Sequence, residues 1–355
     1  MNLDDLREKI DHIDNEILRL LVGRMELALR TRALKTDVGD PDRESEILRR
    51  AARFTAACPV ISEDFTTRLF TAVMEESRRI QMAGQTLIGF QGEHGAFSEA
   101  AARIYDHALV TVPFPEFADV FEAVEEGTLD LGIVPVENSL AGAVFTVNDL
   151  LTRTSLKVAG ALKTKINLCL LKLPETNHQE IRIVSSHPQA LAQCRDFISR
   201  HNFESVPHYD TAGAARMLAR EKPRLTAVIA NRLCAELYGL EVVKENIEDH
   251  ARNITRFLIL SRQEKAGGAN KCSLIFSVPH QTGALFKVLR IFAEAGINLT
   301  RIESFPDRHA PERYSFFLDF QSDTIEADRK RVLAELAANT VHLKDLGCYR
   351  EIPMV

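Results

Sequence analysis

Leu3, Leu6, Ile10, Ile13, Ile17 and Leu20 recur at alternating spacings of three and four residues, which predicts one long amphipathic helix up to about Lys35. The next residue in that apolar register is Arg24, followed by Leu27. A cation within a packed stripe needs an anion, because burying an unpaired charge is very costly. That anion is either a carboxylate of the fold, in a structural salt bridge, or a ligand. Lys35 would lie three turns beyond Arg24 on nearly the same face, where it meets the same ligand or faces solvent. Arg7 lies 17 residues before Arg24, about 25 Å along a continuous helix. One small ligand cannot touch both from one chain. If both bind it, a second copy supplies one of them and the helices form an intertwined dimer.

Two further helices follow. Asp40 reads as an N-cap and Pro41 as a first helical residue, opening a helix to about Phe54. Ser62 begins a third, amphipathic to about Gln81 through Phe65, Leu69, Val73, Met74 and Ile80. On it Ser77 and Gln81 stand at i, i+4 and share a face. Over about the first 82 residues these features resemble the all-helical chorismate mutases. The resemblance implies that Arg7 and Arg24 hold the two substrate carboxylates, one arginine coming from the dimer partner. It implies that Lys35 and Gln81 donate hydrogen bonds to the ether oxygen. Asp40 and Glu44 would lie near the substrate hydroxyl, with Arg43 a neighbouring cation and Ser77 another polar contact. Such a rearrangement of chorismate to prephenate requires no acid, base or nucleophile. It requires a held conformer and donors aimed at the oxygen where negative charge grows.

At 355 residues, with 45% hydrophobic and 26% charged positions, the chain has material for two or three soluble domains. A net charge of −6 gives no reason to expect nucleic acid or an anionic membrane as partner. The charged N-terminus is not that of a signal peptide, and no apolar run is long enough to span a bilayer. Six scattered cysteines without a Cys-x-x-Cys pair suit reduced cytoplasmic thiols better than disulfides or zinc. There is no Walker loop and no GxGxxG, and no cofactor is expected.

Beyond a linker at 82–85 the pattern changes to alternating strands and helices. Strands are expected at Leu87–Phe90, Leu131–Val136, Lys165–Leu173 (apolar enough to be buried, and a candidate crossing between lobes), Ile181–Ser185, Leu225–Ala230 and Phe257–Ser261. Helices are expected from Phe97 or Ser98, at Phe117–Glu126, Thr146–Thr152, Thr211–Arg220 and Asn231–Tyr238. Glu137, Asn138 and Ser139 follow one strand, where an open α/β sheet binds ligands, although an ordinary loop exit has the same composition. Pro188 reads as a first helical position, so Gln189 projects from a helix start. Asn253-Ile-Thr-Arg-Phe257 enters another strand. Two lobes facing across a cleft would bring Asn138, Gln189 and Thr255 together, an architecture that resembles the type II periplasmic-binding-protein fold.

Gly92-Glu-His-Gly-Ala-Phe-Ser-Glu-Ala-Ala101, Val134-Pro-Val-Glu-Asn-Ser139, Ser186-His-Pro-Gln189 and Asn253-Ile-Thr-Arg-Phe257 together resemble the prephenate dehydratases. The resemblance implies that Thr255 is essential, with Asn138 and Gln189 as binding or catalytic partners. It also implies that Arg256, Ser98 and Ser139 help hold the substrate carboxylates. A threonine hydroxyl is a very weak acid, so Thr255 is read as a hydrogen-bond donor or concerted proton relay to the departing hydroxyl. Glu137, His94 and His187 are alternative proton sources.

A polar linker, Gln263–Asn270, leads to strand Cys272–Val278, helix Gly283–Glu294, strands Asn298–Phe305 and Arg313–Phe320, helix Thr324–Ala338 and strand Val341–Tyr349. That βαββαβ order predicts a ferredoxin-like sandwich and resembles an ACT domain. The resemblance implies phenylalanine binding at a dimer interface by Gly283, Ala284 and Leu285 and by Glu303 and Ser304. It departs at Phe305, where the family usually carries arginine. A domain that only dimerises is the other reading.

The expected chain is therefore multidomain: an all-α domain at 1–85, a two-lobed α/β domain at 86–262 and an α+β ferredoxin-like domain at 270–355. Its expected role is that of a cytoplasmic, cofactor-free, bifunctional enzyme of phenylalanine biosynthesis. It would act on chorismate and then prephenate as a homodimer or larger assembly, with phenylalanine as allosteric effector. Arogenate in place of prephenate, and a non-catalytic amino-acid sensor, are the rival readings.

Overall fold

A computed structural model of the chain describes residues 2–35, 37–58, 60–264, 267–307, 310–321 and 329–354, without the side chains of Glu8, Asp307 and residues 310–313. It divides into two compact units, one holding the residues up to Thr86 with the 127–129 stretch and the other holding the rest.

The first unit is built from α1 (Leu3–Thr31), α2 (Pro41–Ala56) and α3 (Glu63–Met82). Each start is fixed by a side chain. Asn2 accepts from the Asp5 N–H while Asp5 accepts from the Asn2 N–H, a reciprocal cap that satisfies two orphan donors. Asp40 accepts from the Arg43 N–H at 3.0 Å with Pro41 first in the helix, and Ser62 caps α3. One expectation is corrected. The helix ends at Thr31, a single 3-10 turn covers Arg32–Leu34, and Lys35 is extended with φ −119° and ψ 145°. Lys35 is therefore not on a helix face shared with Arg24. The apolar stripe of α1 is uncovered in a single chain, with Ile10 56% and Leu20 74% exposed. A stripe this long stabilises a fold only when something covers it.

In the second unit, β1 (Leu87–Gln91), α4 (Phe97–Tyr105), β2 (Val110–Phe114), α5 (Phe117–Glu125), β3 (Leu131–Asn138), β4 (Gly142–Ala143), α6 (Phe145–Arg153) and β5 (Lys157–Lys165) form a first lobe. A second lobe takes β6 (Cys169–Lys172), β7 (Ile183–Ser186), α7 (Pro188–Gln193), α8 (Arg195–Arg200), β8 (Glu204–Pro207), α9 (Thr211–Glu221), β9 (Thr226–Ala230), α10 (Arg232–Tyr238) and β10 (Glu241–Lys244). The chain then returns to the first lobe as β11 (Ile254–Ser261), antiparallel between β3 and β5. The second sheet has the order β10-β6-β9-β7-β8.

The run expected as one strand, Lys165–Leu173, is the end of β5, a short passage between lobes and then β6. The outgoing and returning passages are stitched together: the Ile166 N–H donates to the Asn253 carbonyl at 2.8 Å and the Ile247 N–H to the Leu168 carbonyl at 3.0 Å. Ile88, Phe90, Ile133, Leu162, Phe257 and Ile259 form the core of the first lobe, all buried. Fully burying one such side chain contributes about 1.5–3 kcal/mol.

The C-terminal segment runs β12 (Lys271–Ser277), α11 (Ala284–Glu294), β13 (Leu299–Asp307), β14 (Ala310–Gln321), α12 (Arg329–Asn339) and β15 (His342–Ile352). The start expected for its second helix, Thr324, lies outside the described residues. Its strands are ordered β13-β14-β12-β15. Arg350–Ile352 at the end of β15 pair in parallel with Gly160–Leu162 of β5, so this sheet continues into that of the first lobe. Within it Cys272 and Cys348 are directly paired residues of β12 and β15, joined by a disulfide. The expectation of reduced thiols is corrected for this pair. The two residues are separated by 76 positions and meet only through strand register, which no local spacing signals. Cys58, Cys169, Cys194 and Cys234 are free.

Candidate active sites

In the first unit a cavity of about 960 Å³ is lined by Arg24, Lys35, Asp40, Arg43, Glu44, Ser77 and Gln81. The structure thus gathers all the expected residues of this unit except Arg7, which is exposed and pairs with Asp4 on its own helix. Arg24 donates to the Ser77 hydroxyl at 2.5 Å and to the Val73 carbonyl at 3.4 Å. Burial lowers its pKa, and both of these partners are neutral. A partly desolvated cation with only neutral partners favours an incoming carboxylate.

Gln81 is buried, and its amide donates to the Thr31 hydroxyl at 3.0 Å and to the Ala28 carbonyl. Both amide protons are thereby in use. Asp40 caps α2, and Glu44 accepts from Arg78 at 2.8 and 3.0 Å. Arg78 was not foreseen, because an arginine beside the expected Ser77 reads as an exposed helix position. Arg50 and Arg53 also line the cavity, which makes its wall strongly cationic.

In the second unit the antiparallel pairing of β3 with β11 sets Asn138 directly opposite Thr255. The Asn138 oxygen accepts from the Leu140 and Ala141 N–H groups at 3.0 and 2.9 Å, which fixes the amide orientation. Its nitrogen therefore donates, to the Thr255 Oγ1 at 2.9 Å and to the Asn253 Oδ1 at 2.7 Å. Because Asn138 supplies the proton in the first of these bonds, the buried Thr255 hydroxyl keeps its own proton for another acceptor.

Several expected residues stand elsewhere. Gln189 is exposed at the start of α7 and forms no described bond to Asn138 or Thr255. One turn later, Gln193 reaches the network by accepting from the Asn253 amide at 3.1 Å. Asn253 is fully buried and joins the returning passage to both lobes. In the sequence it stands out only as part of the Asn253–Phe257 motif. Ser139 spends its hydroxyl on backbone, donating to the Arg252 carbonyl and accepting from the Ile254 N–H. Ser98 is buried in the first turn of α4.

Arg256 is a correction. It is 3% exposed and bonded to Asp319, Glu351 and Tyr349, so it is not available to a substrate carboxylate. Consecutive strand residues face opposite sides, and the side that presents Thr255 cannot present Arg256.

Family models match residues 6–82 as chorismate mutase type II, 88–265 as prephenate dehydratase and 273–338 as ACT domain. The bifunctional chorismate mutase/prephenate dehydratase of Neisseria gonorrhoeae is 36% identical over 349 residues, covering 97% of this chain and 95% of the relative. The chain belongs to the bifunctional chorismate mutase/prephenate dehydratase family. An arogenate dehydratase/prephenate dehydratase of Arabidopsis thaliana is 36% identical over 303 residues, covering 82% of this chain and 78% of the relative. The prephenate dehydratase of Arthrobacter aurescens, solved in complex with L-Phe, aligns with a TM-score of 0.68 at 30% identity, over 75% of this chain and 90% of that one.

In the dehydratase domain the Gly92–Gly95 loop is held by Glu99, which is fully buried. Its carboxylate accepts from the Gly95 N–H at 2.6 Å, Arg103 at 2.7 Å and Thr111 at 2.9 Å, and lies 3.3 Å from His94 Nδ1. Gly95 is required in that loop: its φ is +92°, and a Cβ there would meet Cys234 Sγ at 2.5 Å. Burial alone would raise the Glu99 pKa, but the His94 and Gly95 hydrogen bonds and the charges of His94 and Arg103 outweigh it and hold the group at about 2.

A carboxylate depressed this far from its ordinary 4.5 contributes on the order of 3 kcal/mol above that ordinary value, lost as pH falls towards 2. Glu99→Gln is expected to melt at lower temperature than the wild type at pH 7. The gap should narrow progressively below pH 4.5, as read by calorimetry across pH.

In the ACT domain Gly283 has φ +78° and caps α11, Ala284 is buried, Leu285 packs on the core and Phe286 is exposed. Glu303 pairs with Arg301 inside the sheet face, Ser304 is exposed and Phe305 is buried. Strand β14 lies between β12 and β13. Strand β13, which carries the second motif, is therefore two strand spacings, about 9.6 Å, from β12, the strand that leads into the first.

Proposed function

We propose that the chain is a cytoplasmic homodimer that rearranges chorismate to prephenate and then converts prephenate to phenylpyruvate, with phenylalanine as feedback inhibitor. The observation that carries the first activity is Arg24, a partly buried cation bonded, among the described residues, only to neutral groups in a cavity also lined by Lys35, Glu44 and Gln81. It receives one carboxylate of chorismate, and Arg7 of a second copy receives the other. The uncovered stripe on α1 supports that pairing of helices. Lys35 stabilises the charge that develops on the ether oxygen.

For the second activity, loss of carbon dioxide and hydroxide is driven by aromatisation, so only the departing hydroxyl needs a proton. Thr255 donates toward it. The Asn138 amide, donating to Oγ1, orients that hydroxyl and polarises it. Gln189 contacts substrate from the second lobe. The ACT motifs of two copies complete one amino-acid site, and the L-Phe complex of the Arthrobacter enzyme supports phenylalanine as its ligand.

A steady-state assay with chorismate, prephenate and arogenate, each with and without phenylalanine, tests these statements together. Turnover of the first two and inhibition by phenylalanine are expected. Turnover of arogenate at a higher kcat/KM than prephenate would reassign the second substrate. Absence of turnover with all three would favour a sensor.

A further inference from the structure

Strands β3 and β11 carry chemistry on one face and charges on the other. Thr255 is paired with Asn138, and Arg256 with Glu137. The first pair makes the bond described above. The second pair turns to the opposite side of the sheet, where its partners all come from the ACT domain. Arg256 donates from Nη1 to Asp319 at 2.5 Å, from Nε to Glu351 at 2.6 Å and from Nη2 to the Tyr349 hydroxyl at 2.9 Å. Ser273 closes this cluster by bonding both Asp319 and Tyr349, and Lys271 pairs with Glu351. Each of the three guanidinium nitrogens has an acceptor, and the cluster is a fixed anchor.

Glu137 is held differently. Its Oε2 lies 3.3 Å from Arg301 Nε. Arg301 is nine-tenths buried, donates from Nη2 to Glu303, and sits 4.6 Å from the centre of the Phe317 ring. Among the described residues its Nε and Nη1 find no hydrogen-bond acceptor, so the guanidinium is only partly satisfied by them. Leaving such donors unmet is costly, and a small shift toward either carboxylate would improve one contact at the expense of the other. Glu303 belongs to an effector motif, and Glu137 adjoins Asn138.

We propose that Arg256 and Glu137 are positioning residues for dehydration, holding Thr255 and Asn138 from the back of the sheet, and that Arg301 links Glu137 to the effector element at Glu303. The proposal rests on the reading of Thr255 and Asn138 as the working pair. Effector occupancy that draws Glu303 changes the pull of Arg301 on Glu137, and hence the presentation of Asn138.

The test uses the full chain. Glu137→Gln and Arg301→Met are each expected to lower dehydratase kcat about tenfold and to shift the phenylalanine concentration for half inhibition at least about fivefold. Prephenate KM and mutase kcat should stay within about twofold. The double variant should be no worse than the poorer single one, because both changes cut the same link, and Arg301→Lys should recover most of the kcat. Arg256→Met leaves Asp319 buried without a counter-charge and is expected to unfold locally, so the isosteric Glu137→Gln carries the decision. Unchanged kcat and unchanged inhibition in both single variants overturn the proposal, as do losses that multiply in the double variant. The same tenfold loss in an Asn138→Ala background overturns it too, since the effect then does not pass through Asn138. Asn138→Ala and Thr255→Ala, assayed alongside, report on the underlying reading separately. Wild-type dehydration in those two variants removes that reading, and this proposal with it.

Discussion

Thr255→Ala is expected to lower dehydratase kcat about 10³-fold, within the range for loss of a positioned proton donor, while mutase kcat is unchanged. The Asn138 nitrogen must donate, because its oxygen is held by two backbone N–H groups. The Thr255 oxygen receives that donation, so its own proton is uncommitted within the pair. Alanine removes the proton and leaves the second Asn138 amide proton with only the Ile254 carbonyl, at 3.4 Å, in place of the closer hydroxyl, which loosens the ground state as well. Thr255→Ser keeps the hydroxyl but loses the methyl group that restricts χ1. It should therefore fall between, at about tenfold below the wild type. Prephenate KM should move by less than about threefold in both variants, since the hydroxyl acts on the leaving group rather than on a carboxylate. Dehydration by Thr255→Ala within threefold of the wild type would shift the role to Glu137, His94 or another donor.

The elements of this site were largely legible in sequence because they depend on short-range rules. The cap at Asp40, the proline that opens α7 and the βαββαβ order at the C-terminus follow from residue type and period, and each stands where the pattern puts it. What was not legible depends on which side of a strand faces what. Arg256 adjoins Thr255, and a motif read along the chain assigns both to substrate. The period of two sends one of them to the ACT domain. Gln189 and Gln193 lie one helical turn apart, and only the path of the returning passage through Asn253 decides which meets the network. Lys35 left the helix because α1 stops at Thr31, an ending for which the sequence carries neither glycine nor proline at that point. Strand β5 went unforeseen although it lies between β11 and β15. It contains a glycine, Gly160, where a Cβ would meet the Tyr105 ring at 2.8 Å, and a glycine within a strand pattern weakens the signal of the run.

Lys35→Ala is expected to lower mutase kcat by about 10³-fold, the upper range for removing one oxyanion donor. The dehydratase should be unaffected and the melting temperature unchanged. Two residues were expected to serve the ether oxygen, and the structure separates them. Both amide protons of Gln81 are engaged, with the Ala28 carbonyl and the Thr31 hydroxyl, so donation to substrate requires it to give up a bond it already has. Lys35 lines the same cavity from an extended segment and has no ion-pair partner among the described residues, so its ammonium meets the developing charge without first breaking another contact. Electrostatic catalysis favours the donor whose reorganisation cost is smallest, and that is Lys35. Gln81→Ala should then cost less, about tenfold to a hundredfold, and should carry a stability loss of about 1 kcal/mol, because two hydrogen bonds of a buried amide are lost while the Ala28 carbonyl keeps the Thr31 hydroxyl as donor. Assaying both variants with chorismate while recording thermal unfolding separates the roles. A larger kcat loss in Gln81→Ala than in Lys35→Ala would mean that the amide rotates into the site when substrate binds, and that the lysine serves only to attract the dianion.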